Sequence, residues 1–203
     1  YMVLDVQYAL APERPWPQCH EDAEDVVNWI REQPQRFDLD RLSISGFSAG
    51  ANVACVAASV TFPKDTFQSL IAVYPPTNLS MDPSLKTAPD TSGSPIPDWQ
   101  SRLFNHAYIQ DATDAASPRV SPSFADATRF PRRTFIATAA LDSLCLEAEL
   151  LARKIQETGK STVTLYRAEK CNHAWDKTAV EGSVQAEQRD KVYAIAVNIL
   201  KDC

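Results

Sequence analysis

Residues 43–55 read S-I-S-G-F-S-A-G-A-N-V-A-C and set one serine, Ser48, between Gly46 and Gly50. A serine hydroxyl is a weak nucleophile unless a base takes its proton and a third group orients that base. Three histidines could serve. His20 precedes Ser48 beside a proline-rich stretch, and His106 lies in a segment of different texture. His173, in E-K-C-N-H-A-W-D-K, follows an apolar run and precedes the last helical pattern. That puts His173 at the C-terminal edge of a parallel sheet, where such sites form, and in the chain order serine, acid, histidine. The acid is expected just past the run at 133–140. Asp142 stands directly there, Glu147 is one helical turn further on, and Asp176 is a weaker local alternative three residues after His173. Asp142 could also cap the following helix, a role compatible with catalysis. The plain alternative for Ser48 is a serine N-cap in a glycine turn.

A serine at the tip of a strand-to-helix turn is expected to carry a positive φ. The turn brings the residues two before and two after close together, so both Gly46 and Gly50 are read as steric requirements. The helix that follows aims its first N–H groups at the reaction centre, and the Ala49 N–H is the expected oxyanion donor. A protonated imidazole cannot accept the serine proton, so hydrolysis should fall below about pH 6. A flat rate from about pH 5 to 8 would argue against His173 as the base.

The elements that must position these groups alternate along the chain. Strands are expected at 2–6, 41–45, 69–75, 133–140 and 162–168. Helices are expected at 20–33, 49–60, 144–159 (stopping at Gly159) and 184–201. Repeated strand–helix units imply an α/β fold with a mostly parallel sheet flanked by helices. Residues 76–126 break the alternation, being rich in Pro, Ser, Thr and Asp with one aromatic helical stretch at 98–109. They read as an insertion between core segments 1–75 and 127–203.

The 203 residues suit one domain with a substantial core. A net charge of −6, with no basic cluster interleaved with aromatics, argues against a nucleic-acid partner. No apolar run approaches the roughly 20 residues that span a bilayer. The five cysteines form no C-x-x-C pair, so no zinc site is suggested, and their odd number favours a reducing, cytoplasmic setting. Cys145 and Cys171 read as small buried fillers. No metal or other cofactor is expected, and a homodimer is left open. The chain opens on Y-M-V-L-D-V, already strand-like, so residues upstream of Tyr1 are expected.

Several segments carry a resemblance. L-D-V-Q-Y-A-L-A-P-E-R-P-W-P-Q-C-H-E-D-A (4–23) resembles D-Y-R-L-A-P-E-x-P-x-P-x-x-x-E-D-A of the hormone-sensitive-lipase-like carboxylesterases, members of the α/β-hydrolase fold. G-F-S-A-G-A-N-V-A resembles their G-D-S-A-G-G-N-L-A turn, and S-P-R-V-S-P-S-F-A-D (117–126) their P-x-x-S-P-L-x-A-D stretch. L-D-S-L-C-L-E-A-E resembles D-P-L-R-D-E-G, and C-N-H-A-W-D the H-G-F loop. The resemblance runs from residue 4 to about 176. It implies Ser48 as nucleophile, Asp142 as acid and His173 as base, cleaving small carboxylic esters of short acyl chain. It implies that 76–126 belongs to a cap, with Phe47, Trp99, Phe104 and Tyr108 as candidate pocket walls. Packing within the cap is the equal alternative for the aromatics. Phe47 stands where the family has aspartate, and Ser143 where it has proline. The family's H-G-G-G motif, which supplies further oxyanion donors, has no counterpart between residues 1 and 203. Its strand would lie between those at 2–6 and 41–45. Two other readings stay open: a truncated or inactive member acting as a binding module, and an amidase or deacetylase using the same three residues.

Overall fold

The computed structural model describes residues 2–202. Four parallel strands form one sheet in chain order: β1 (Ser43–Phe47), β2 (Ser69–Val73), β3 (Arg133–Ala139) and β4 (Thr162–Ala168). β2 is buried along its whole length, and β3 at every position but the first. That follows from their composition: S-L-I-A-V and R-T-F-I-A-T-A are near-continuous apolar runs, as strands covered on both faces must be.

Helices cover both faces. They are α1 (Gln18–Arg31), α2 (Ala49–Val56), α3 (Asp98–Tyr108), α4 (Cys145–Glu157), the short α5 (Trp175–Thr178) and α6 (Val184–Lys201). One core packs α1, α2 and α4 on the sheet through Val27, Ala54, Leu70, Ile136, Leu151 and Ile155. The other packs α6 on the opposite face through Ile71, Val73, Phe135, Ala137 and Val192. The small residues of α2 let it lie close to β1 and β2, and Ala51 and Cys55 are fully buried there. Past Val56 the helix widens into a turn over Ala57–Thr61, in which Phe62 N–H bonds the Ala57 carbonyl five residues back. Gly159 ends α4 with φ 64°, in the left-handed region where glycine costs least.

The strand expected at 2–6 does not form. Residues 2–10 pair with no strand, and Met2 and Val3 are 63% and 85% exposed. A strand exists by its ladder, and β1 pairs only with β2 among the described residues. Among those residues no helix is long and apolar enough to cross a membrane.

The segment between β2 and β3 is anchored to the rest of the chain at several points. Asn52 in α2 donates to the carbonyls of Pro76 and Val120, both at 2.9 Å. Glu147 in α4 accepts from the amides of Thr77 and Asn78, and Lys86 closes a buried ion pair with it at 2.6 Å. Burial pushes the Glu147 carboxyl up, and Lys86 and the two amides pull it back toward ionisation. By contrast α3 has no buried residue.

His20 is a second anchor. It is buried at the start of α1, with Nε2 2.7 Å from the Tyr108 hydroxyl at the end of α3. Burial, and then the charge of Arg119, lowers its imidazole to about 4. The unfolded chain binds that proton near pH 6.5, more tightly than the folded protein does. The His20 contribution is therefore complete above about pH 6.5 and is lost as pH falls toward 4. Between pH 7 and 4.5 it should remove on the order of 2 kcal/mol. Urea unfolding at both pH values, for the wild type and His20→Asn, measures this. Identical pH slopes in the two proteins would refute it.

Candidate active site

Ser48 sits at the end of β1 and the start of α2, with φ 50° and ψ −121°. A non-glycine residue held there stores on the order of 1–3 kcal/mol of strain. The sheet holds it in place: Ser48 N–H donates to the Val73 carbonyl at 2.9 Å, while its own carbonyl accepts from Ala51 and Asn52 as α2 begins. Ala49, the first residue of α2, carries one of the amides that a helix leaves without an internal acceptor.

The two glycines of the turn are not equivalent. A Cβ on Gly46 would overlap the Gly50 carbonyl and lie 2.6 Å from the Ala51 nitrogen. A Cβ on Gly50 would meet only the Tyr8 side chain, its hydroxyl at an ordinary 3.5 Å and its ring at 3.8 Å. The expectation that sterics demand both glycines is corrected to Gly46 alone.

Three chain-distant groups converge on the turn. Ser48 Oγ lies 2.8 Å from His173 Nε2, and His173 Nδ1 lies 2.6 Å from Asp142 Oδ2. A carboxylate can only accept, so Nδ1 carries the proton and Nε2 is left to accept from the serine hydroxyl. Asp142 follows β3 and has no exposed surface. Its second oxygen, Oδ1, accepts from the Leu144 N–H at 3.0 Å. That bond closes a turn ahead of α4, whose own N-cap is Leu144 and has no side-chain cap bond, so Asp142 is not the helix cap. The loops carrying Asp142 and His173 are tied together, since Leu141 N–H donates to the Cys171 carbonyl at 3.0 Å. The 90–94 stretch of the segment between β2 and β3 lies against this junction. Asp90 N–H donates to the Ala140 carbonyl and Ser94 N–H to the Asn172 side chain. A Cβ on Gly93 would come within 2.7 Å of the Leu141 side chain.

The alternative acids are engaged elsewhere. Glu147 accepts from the Thr77 amide in the segment between β2 and β3, and Asp176 accepts from the Tyr74 and Tyr193 hydroxyls at 2.6 and 2.8 Å. The candidate pocket aromatics scatter. Phe47 packs with Tyr74 and Tyr193 in the core under α6, with the Lys177 ammonium 3.8 Å above its ring. Tyr108 is bonded to His20. Trp99 and Phe104 stand exposed on α3. Phe47 and Tyr108 thus make packing and anchoring contacts in this structure. Cys145 and Cys171 are buried, and burial pushes their thiols up to about 12 and about 11, which suits fillers. Tyr74 and the helix α5, both against His173, were missed. Tyr74 reads as one more apolar residue closing a strand, and a four-residue helix has too little periodicity to detect.

A family profile described as the alpha/beta hydrolase fold matches residues 1–177. The chain belongs to the α/β-hydrolase family. Curated relatives include the esterase LipI of Mycobacterium tuberculosis, 30% identical over 70% of this chain and 46% of its own length. An arylesterase of Saccharolobus solfataricus is 27% identical over 80% of this chain and 54% of its own. The hyperthermophilic esterase of Pyrobaculum calidifontis superposes with a TM-score of 0.78 at 26% identity, covering 96% of this chain and 64% of that one. The chain spans about half the length of the curated relatives it matches. In this α/β-hydrolase the alternating strands, the turn after β1 and the resemblance read from 4–176 all describe one fold.

Proposed function

We propose that this α/β-hydrolase is a carboxylesterase that cleaves small esters of short acyl chain through Ser48, His173 and Asp142. The observation that carries the proposal is the unbroken line from Ser48 Oγ through both nitrogens of His173 to a buried carboxylate, at 2.8 and 2.6 Å. The names of the relatives, esterases and an arylesterase, favour esters over amides as the first class to try.

In the reaction, His173 Nε2 takes the hydroxyl proton as Ser48 Oγ bonds to the ester carbonyl carbon. The carbonyl π electrons move onto oxygen, and the Ala49 N–H donates to that oxyanion. His173 returns the proton to the alcohol oxygen as the C–O bond breaks, leaving an acyl-serine. A water then gives its proton to His173 and attacks the acyl carbon. The tetrahedral adduct collapses, the acid departs, and Ser48 Oγ is reprotonated. Asp142 holds the tautomer throughout and stabilises the transient imidazolium. Residues 76–126, anchored through Glu147 and His20 and laid over the acid–base junction at 90–94, act as the cap.

A fluorophosphonate should label this chain once, with the label mapped to Ser48 by peptide mass spectrometry. p-Nitrophenyl acetate should be hydrolysed faster than the butyrate and octanoate, and faster than matched anilides. Labelling at Ser48 without turnover of any ester would favour the binding-module reading. Preference for the anilides would favour an amidase. No label on the folded protein would end the serine-hydrolase reading altogether.

A further inference from the structure

We infer that Tyr74 and Asp176 are positioning residues for His173: Tyr74 is the surface on which the imidazole rests, and Asp176 ties that surface to the histidine loop. The inference rests on the esterase reading above, because ring orientation matters only for a base that must face Ser48.

Asp142 fixes the imidazole at a single atom, Nδ1. A ring held at one atom can still tilt, and tilt carries Nε2 away from the serine hydroxyl. The Tyr74 ring opposes that tilt. Its centroid lies 4.8 Å from that of His173 at an interplanar angle of 61°, an edge-to-face contact within the favourable range. Tyr74 also meets Trp175, the first residue of α5, edge-on at 5.3 Å, so its ring touches both the base and the helix that follows it.

The backbone of Tyr74 is fixed with equal care. It is the first residue after β2, is 2% exposed, and has φ 43°. Its N–H donates to the Ala137 carbonyl at 2.7 Å, and Val73 just before it receives the Ser48 N–H. One dipeptide therefore grips the nucleophile turn through its backbone and the base through a side chain.

Asp176 closes the loop. It sits in α5, three residues after His173. Its Oδ1 accepts from the Tyr74 hydroxyl at 2.6 Å, and its Oδ2 accepts from Tyr193 in α6 at 2.8 Å, with Lys177 at 3.2 Å. Burial disfavours the Asp176 carboxylate, but the two hydroxyls and Lys177 outweigh it and hold the carboxyl below its usual range. Burial and that same partner raise both phenols, Tyr193 to about 12, so each stays a protonated donor. The circuit runs from His173 along the chain to Asp176, through its carboxylate to the Tyr74 hydroxyl, and through the ring back to His173. A polar network this enclosed in an apolar core is costly unless every member is satisfied. Here both carboxylate oxygens are.

The test uses Tyr74→Phe, Asp176→Asn and the double variant in the full chain. Three readouts are compared: steady-state hydrolysis of p-nitrophenyl acetate, the rate of fluorophosphonate inactivation, and water exchange of the His173 Nδ1 proton by low-field proton NMR. Each single variant should lower kcat by about tenfold and leave KM within about twofold, because the lost orientation is needed only in the transition state. The double variant should be no worse than the weaker single one by more than about twofold, since both substitutions cut one circuit. Nδ1 exchange should accelerate by about fivefold or more, since the ring is less restrained. A network that serves packing alone would lower Tm and leave all three readouts unchanged, and that result overturns the inference. If Asp176→Asn does not fold, Tyr193→Phe removes one of its donors and should slow kcat by about threefold with the same exchange signature; no change there also overturns it. If the wild type neither hydrolyses esters nor reacts with fluorophosphonate, the esterase reading fails and this inference falls with it, whereas an active wild type with unchanged variants overturns the inference alone.

Discussion

Asp142→Asn is expected to lower kcat for p-nitrophenyl acetate by about 10⁴ while the protein stays folded. The size of the effect follows from how both carboxylate oxygens are used. Oδ1 accepts the Leu144 N–H and Oδ2 accepts the His173 Nδ1 proton. An asparagine has one acceptor oxygen and one donor NH₂. If its oxygen stays on Leu144, the NH₂ faces Nδ1. The imidazole then carries its proton on Nε2, where it cannot take the serine proton. If the amide flips, the Leu144 N–H is left facing a donor at a position with no exposed surface, so water cannot repair the loss. Either arrangement also removes the negative charge that stabilises the imidazolium. Neither Glu147 nor Asp176 can stand in, since Glu147 is held by Thr77, Asn78 and Lys86, and Asp176 by Tyr74 and Tyr193. The measurement is kcat and KM with far-UV circular dichroism on the same sample. A loss smaller than about tenfold in a folded variant would remove Asp142 from the proposed mechanism.

That Asp142 could be chosen from sequence at all reflects how a parallel sheet works. Strands end at one edge, so a residue just past an apolar run is delivered to that edge wherever it lies in the chain. Ser48, Asp142 and His173 each follow such a run, and they meet although up to 125 positions separate them. β2 and β3 were legible for the same reason: burial on both faces forces apolar runs that no loop would carry. What was hidden depends on partners and not on composition. Residues 2–6 have the composition of a strand, but strand formation also needs a neighbour, and among the described residues none pairs with them. Phe47 and Tyr108 are aromatics near the motifs, yet the direction of a side chain is set by packing against α6 and α1, which spacing does not encode. Asp176 looked like a spare acid, because proximity in sequence to His173 says nothing about which hydroxyls will surround it in the fold.

The glycine turn gives the largest expected effect on the fold itself. Gly46→Ala should cost more than about 4 kcal/mol or abolish folding, whereas Gly50→Ala should be neutral to within about 1 kcal/mol. The two substitutions add the same methyl group to residues four positions apart in one turn, so side-chain hydrophobicity cannot separate them. Geometry does. The Cβ on Gly46 would overlap the Gly50 carbonyl and approach the Ala51 nitrogen to 2.6 Å, and both are backbone atoms at the start of α2. They cannot rotate aside as a side-chain tip could. Relief requires moving the first turn of α2, and Ser48 with it, away from the Val73 carbonyl and from His173 Nε2. At Gly50 the new methyl meets only the Tyr8 side chain, no closer than 3.5 Å, and α2 gains a better helix former in its first turn. Chemical denaturation of the two variants beside the wild type measures the contrast, and fluorophosphonate labelling reports whether Ser48 stays aligned. A folded, fully reactive Gly46→Ala protein would mean that the turn can widen without losing its hold on Ser48. The steric account of why the motif carries a glycine two residues before the serine would then fail.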